Sequence, residues 1–247
     1  YDPLQRDEEF RQISFNLSHD LDPTVLSTGD IVFSRWNNTA TDHISLFQID
    51  PSGLGLSPLY GFNSPGTGTN GSAAVFSQPR ELDDGSMVTV LRSVNSQALG
   101  GDMAVLDVQN FADENTPLWN SANPNGTGQN SLTPLDVRTD DSLSPGGQYG
   151  SVYPLRDGTG RILVTWSGCR VMDEDGGELF PPCTLQPDNE EPAPPLYGGW
   201  VYDPSNNTQL PVVIPEEDFV ISELIAAEPR DFPSLVPLPD NFNNELA

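Results

Sequence analysis

The sequence predicts an all-β chain: a β-propeller, or part of one, made of repeated antiparallel four-stranded blades with a disulfide-closed insertion. Three observations lead there. Proline and glycine number 24 and 22 among 247 residues, about a fifth of the chain, which disfavours long uninterrupted helices. A short Pro–Gly–apolar template recurs three times. Two cysteines, Cys169 and Cys183, bracket a polar, Gly/Pro-rich stretch of the kind a disulfide can close. The alternative is a simple β-sandwich in which the Pro/Gly spacing is coincidental.

In chain order, Tyr1-Asp2-Pro3 matches Tyr202-Asp203-Pro204, and Arg11 to Phe15 then reads as the closing strand of a blade whose beginning is missing. The first unit runs from Pro23 through Gly29 to Ile31-Val32-Phe33. The second runs from Pro79 through Gly85 to Met87-Val88-Thr89, and the third from Pro154 through Gly160 to Ile162-Leu163-Val164. In each, Pro precedes Gly by six positions and an apolar pair begins two positions after that Gly. The physical reading is a strand at Pro, a tight turn at Gly, then a buried strand. A second apolar run ending in Asp follows each template, at Ile44–Asp50, Met103–Asp107 and Trp200–Asp203. The Gly-to-Asp distances are 21, 22 and 43, so the third unit reads as the same module with an insertion. A Cys169–Cys183 disulfide would pin the base of that insertion. Past Phe219–Ala226, Glu228-Pro229-Arg230 begins a polar, Pro-rich exit. Residues 1–239 thus read as one propeller-like domain and 240–247 as a polar tail. About three full units and one or two partial ones fall short of the four blades a closed propeller needs. The expectation is a portion of a larger protein, or closure by strands from another segment.

Charge narrows the partners. Acidic residues number 36 against 10 basic ones, all arginine, for a net charge of −26. That balance argues against nucleic acid and anionic lipid, which require cationic neutralisation. No run of 18 apolar residues is present to span a membrane. A structural disulfide implies an oxidising compartment, periplasmic or extracellular.

The pattern Ser18-His19-Asp20-Leu21-Asp22-Pro23, followed by Gly29 to Trp36, resembles a blade of the TolB-like propeller class. More narrowly it is similar to bacterial proteins related to the hydrazine synthase alpha subunit. Gly150 to Gly158 followed by Ile162 to Ser167 looks like a later blade of that family, and Glu228-Pro229-Arg230 like its exit. The resemblance spans roughly Asp20 to Pro239. It implies a middle propeller domain flanked by c-type haem domains. The haem-attachment motif C-x-x-C-H is absent from this sequence, so no residue here inherits a haem-binding or catalytic role. Haem would come only from flanking or partner segments.

Direct candidates for chemistry are few. His19 and His43 are the only histidines, and without a G-x-S-x-G turn each reads as an exposed or hydrogen-bonded turn residue. Gly66 to Gly71 fits G-x-G-x-x-G but lacks the flanking strand and helix of a dinucleotide site, so it reads as a loop. The carboxylates from Asp173 to Glu178 offer the oxygen donors Ca²⁺ prefers, without the spacing of a full calcium loop. Their simpler reading is a solvated acidic hairpin tip. Trp36, Trp166 and Trp200 flank predicted strands and read as packing residues, whereas Trp119 lies in a polar segment and is expected to be exposed. The run Asn120–Asn130 is a loop tip and contact candidate. No catalytic, cofactor or metal residue is assigned. The expected function is an extracytoplasmic scaffold or protein-interaction module in a larger assembly. The alternatives are the propeller domain of a multihaem redox enzyme and a secreted carboxylate-dependent hydrolase.

Overall fold

The computed structural model describes residues 12–37, 43–96, 98–140, 142–172, 180–183, 191–229 and 231–233. Among these there is no α-helix, and three four-stranded antiparallel sheets follow one another along the chain. The first holds β1 (Asp20–Val25), β2 (Ile31–Asn37), β3 (His43–Ile49) and β4 (Ser57–Tyr60) in that order. The second begins with β5 (Ala74–Glu81), β6 (Met87–Ser93) and β7 (Asp102–Leu106). A small hairpin, β8 (Phe111–Asp113) with β9 (Thr116–Pro117), precedes its fourth strand, β10 (Gln129–Ser131). The third holds β11 (Gln148–Pro154), β12 (Ile162–Ser167), β13 (Gly198–Asp203) and β14 (Thr208–Val213). The predicted all-β class and its four-stranded modules are present, the first and third sheets meanders of sequential strands and the second a meander interrupted by the β8–β9 hairpin.

The template has a structural meaning at every position. Its Gly sits in the turn joining the first two strands of each sheet, with φ of 99° at Gly29, 81° at Gly85 and 69° at Gly160. In the first two sheets the turn is identical: Gly29 N–H donates to Leu26 O at 3.0 Å, and Gly85 N–H to Leu82 O at 3.0 Å. A left-handed residue closing such a turn favours glycine, which carries no Cβ. Pro23 and Pro79 each sit in a β-bulge of the first strand, where the missing N–H costs no ladder bond. The residue before each proline, Asp22 or Gln78, has φ of 51°. Asp22 then accepts the Gln78 N–H at 2.9 Å, tying one bulge to the next. The third unit departs here. Pro154 ends its strand in register opposite Ile162, and its turn spans Leu155 to Arg161. The Asp closing each second run caps the turn that follows it, into the fourth strand in the first and third sheets and into β8 in the second: Asp50 accepts Ser52 N–H at 2.6 Å and Asp203 accepts Ser205 N–H at 3.0 Å. Asp107 accepts the Asn110 amide at 3.0 Å. Short acidic side chains suit this role because they mimic a turn of backbone.

The sheets stack head to tail. Template positions two residues after the Gly are Ile31, Met87 and Ile162. Ile31 packs on the cluster of Phe33, Phe47 and Ile49, Met87 joins the core between the first and second sheets, and Ile162 the core between the second and third. One residue further on, Val32 faces the second sheet, Val88 faces the third, and Leu163 has the opposite face from Ile162. The third strands repeat this: Leu46 and Met103 point to the following sheet, while Ala104 and Trp200 point to the preceding one. Alternation along a strand puts adjacent residues on opposite faces, so each sheet has a leading and a trailing face. First strands approach one another, β1 against β5 and β5 against β11.

Two segments cover the outer faces. Residues 12–19 have no ladder partner, so the strand expected up to Phe15 is not formed over the described residues. Instead Ile13 packs on the Phe33 cluster and the Arg35 guanidinium donates to Phe15 O at 2.9 Å. At the other end, 214–229 crosses the third sheet without forming a strand. Gly199 leaves room there for Leu224, whose Cδ1 would lie 2.5 Å from an added Cβ. The Arg156 N–H donates to the Glu228 carboxylate at 3.0 Å. Residues 1–11 and the tail 240–247 lie outside the described residues.

Candidate functional site

Three connections meet at one end of the second and third sheets: the β6–β7 loop, the β10–β11 connection and the long insertion between β12 and β13. They enclose a cleft of about 690 Å³, lined by Ser96, Asp140, Gln148, Gly168, Arg170 and Pro194 among others. The insertion lies between the second and third strands, where the Gly-to-Asp spacing places it. Its base is pinned by the Cys169–Cys183 disulfide, with Cα atoms 5.5 Å apart. Arg170 bridges Pro182, and Cys183 N–H donates to Cys169 O at 3.2 Å. Closing a loop of 14 residues limits the unfolded chain by about 3 kcal/mol. Reduction is therefore expected to lower unfolding stability by about that amount, with the cleft wall loosening first. Urea titrations with and without reductant check this, and coincident curves would refute it.

The polar wall is built from the β10–β11 connection. Arg138 donates to Asp140 at 2.7 Å, and Asn70 reaches the same carboxylate from the β4–β5 connection at 3.3 Å. The Arg138 hydrogen bond, helped by the Ser142 hydroxyl and N–H, holds the Asp140 carboxyl well below the usual range. Asp140 is thus a fixed anion over the whole working pH range and not a proton donor. Ser144 accepts Arg138 N–H at 2.8 Å and donates to Gly147 O at 2.6 Å, so its hydroxyl is committed to the loop. Ser167 accepts Leu196 N–H at 2.8 Å, fastening the insertion to the sheet. The floor is tied by the Tyr197 hydroxyl donating to Ala98 O at 2.8 Å, and burial pushes that phenol upward. Gln148 also lines this wall, its Oε1 buried without a hydrogen-bond partner.

The insertion supplies the other wall. Arg170 makes a two-pronged pair with Glu217 at 2.5 and 3.1 Å, donates to Pro194 O at 2.6 Å and lies 4.8 Å over the Phe180 ring. Beside it a smaller hollow of about 470 Å³ is lined by Trp166, Trp200, Phe180, Pro182 and Leu196. Trp166 and Trp200 meet edge to face at 5.6 Å. Together the walls present the Arg138–Asp140 and Arg170–Glu217 ion pairs beside an aromatic and proline surface.

Of the residues singled out in the sequence, the cysteines, the two tryptophans of the third sheet and the Gly66–Gly71 loop, through Asn70, come to this end of the molecule. The histidines lie on the first sheet. His43 is buried at the start of β3, its Nε2 2.8 Å from Gly61 O, so it is hydrogen-bonded as one form of the expectation had it, on a strand and not in a turn. His19 is exposed and stacks on Trp36 at 5.5 Å. Gly66–Gly71 is a loop with a single tight turn, docked through the Thr69 N–H on the Thr139 hydroxyl at 2.7 Å. Trp119 is exposed, as expected. The acidic Asp173–Glu178 run, the Ca²⁺ candidate, lies outside the described residues, and among those described no group of three or more His, Cys, Asp or Glu side chains is placed to hold a metal. Sequence reasoning passed over Arg138, Asp140, Gln148 and Arg170, because long-range loop convergence leaves no local signature. No protein family, curated protein or solved structure matches this chain.

Proposed function

We propose that this chain is a propeller-type scaffold, a protein-interaction module of a larger extracytoplasmic assembly that carries no chemistry of its own. The head-to-tail repetition of leading and trailing faces through three sheets carries this reading. Sheets stacked in this way, with their first strands drawn together, are how propeller blades surround an axis. The disulfide supports an oxidising compartment, and among the described residues no helix is long and apolar enough to cross a membrane.

The cleft is the contact site in this reading. The net charge of −26 suits a partner segment bearing cations. Pro194 stands exposed on the rim. Material purified from its source under non-reducing conditions is expected to contain a second polypeptide in fixed ratio. Pro194→Arg is expected to release it, because the new cation meets the partner's own. Native material with no other polypeptide, or a partner retained by the variant, would defeat the reading. A haem absorbance band in the same sample would point instead to a redox component.

A further inference from the structure

We infer that Asn206 is an acceptor for an N-linked oligosaccharide. This rests on the extracytoplasmic part of the functional reading, because the motif is used on chains that leave the cytoplasm. Asn-x-Ser/Thr sequences begin at Asn16, Asn37, Asn70, Asn125 and Asn206, and the motif by itself selects none of them. The structure separates them by where the hydroxyl two residues on is directed. Asn16, Asn70, Asn125 and Asn206 have that residue within the described chain. The Ser18 hydroxyl lies 3.4 Å from His19 Nδ1, Ser72 donates to Thr139 O at 3.0 Å, and Thr127 donates to Gln129 O at 3.2 Å. Asn16 also commits its amide to His19 O, Asp20 and Trp36 O. Of these four, Thr208 alone turns to its own asparagine: its hydroxyl donates to Asn206 Oδ1 at 2.6 Å, and both residues are exposed.

Asn206 lies in the turn between β13 and β14, residues 204–207. Its neighbour anchors that turn: Asn207 has a left-handed φ of 54° and accepts the Tyr202 hydroxyl at 2.9 Å. Asp203 accepts one Nδ2 proton of Asn206 at 3.2 Å. A donor on the amide oxygen stabilises the form that has lost an N–H proton, which is the nucleophilic form. In the transfer, Asn206 Nδ2 gives one proton to a base of the transferring enzyme and attacks C1 of an oligosaccharide carried on a polyprenyl diphosphate. The N–C1 bond forms, the C1–O bond breaks, and the diphosphate leaves with the electron pair. The turn stands at the opposite end of β13 from the insertion, about 17 Å along the strand, so a glycan there leaves the cleft open. It also stands beside β14, the outermost strand of its sheet, where Leu210 and Val212 are 60% and 56% exposed. A bulky polar group next to an open strand edge opposes its pairing with another chain.

Mass spectrometry of the protein isolated from its source tests this. Cleavage after arginine yields a peptide of residues 171–230, in which Asn206 heads the only Asn-x-Ser/Thr sequence. The expected result is a saccharide mass on that peptide in most molecules, placed on Asn206 by fragmentation. Produced in the same organism, Asn206→Gln and Thr208→Val are each expected to lose it. Thr208→Ser, which keeps the hydroxyl, is expected to retain it. A bare Asn206 in the native protein, or a sugar retained by Thr208→Val, overturns the inference. A bare Asn206 in protein from an extracytoplasmic fraction defeats the glycan and leaves the scaffold reading standing. Native protein recovered from the cytosol with free thiols defeats the compartment on which both rest.

Discussion

Replacing Asp102 by asparagine is expected to stabilise the protein at pH 8 by about 4 kcal/mol and to change little at pH 3. Asp102 begins β7, mostly buried where the second sheet meets the third. Burial pushes its carboxyl up to about 7, against which only hydrogen bonds from the Ser131 hydroxyl and the Met103 N–H act. The Ser131 bond is 2.9 Å long. Below the ordinary carboxyl value of 3.8 both folded and unfolded chains hold the proton, and burial has no electrostatic cost. As pH rises from there toward 7, the unfolded chain ionises while the folded chain keeps its proton, so stability falls. Above 7 the folded protein carries a buried charge and the loss is complete. Asparagine keeps an acceptor for Ser131 and cannot ionise, so its advantage should appear between pH 4 and 7 and level off above. Urea unfolding of both proteins at pH 3, 5 and 8 reads this directly. An equal difference at all three values would show that Asp102 does not titrate in that window.

Phe76→Ala is expected to cost about 4 kcal/mol, the range for removing a fully buried aromatic ring. Phe76 is 0% exposed, on β5 in the core shared by the first two sheets. Its ring meets Tyr60 edge to face at 5.6 Å. The backbone at Gly61 presses on the same ring: an added Cβ would lie 2.5 Å from Phe76 Cε2. Few neighbours can move into the space, because both sheets are held by their ladders. Phe219→Ala, at a position 65% exposed, serves as the control and should stay within about 0.5 kcal/mol of wild type. A loss below about 1.5 kcal/mol for Phe76→Ala would mean that the two sheets do not depend on each other.

How far each feature was legible follows from the range of the interaction that makes it. The hairpin glycines, the bulge prolines and the turn-capping aspartates act within a few residues of themselves. Their spacing therefore exposed three repeated modules before any contact was known. The cysteine pair was legible because the intervening residues already read as a loop. The third unit shows the limit: its Pro-to-Gly spacing of six matches the others, yet its turn is longer and its proline ends the strand in register, the strand's bulge lying at Gly150 instead. Equal spacing is a weaker constraint than equal geometry. Phe15 illustrates the converse, since an apolar alternation suited to a strand became an irregular cover when no neighbouring strand was there to pair with it.

The sequence by itself determined the all-β class, the three modules, the place of the insertion and its disulfide, because these depend on local backbone preference and side-chain alternation. Only the tertiary structure decided that the modules stack with faces in one direction, because a face gains its meaning from the sheet packed against it. Only the tertiary structure brought Asp140, Gln148 and Arg170 to one cleft, since three loops far apart in sequence must first be held at the same end of two sheets. It also decided that Asp102 is a buried acid, a property of the surroundings that no residue carries alone.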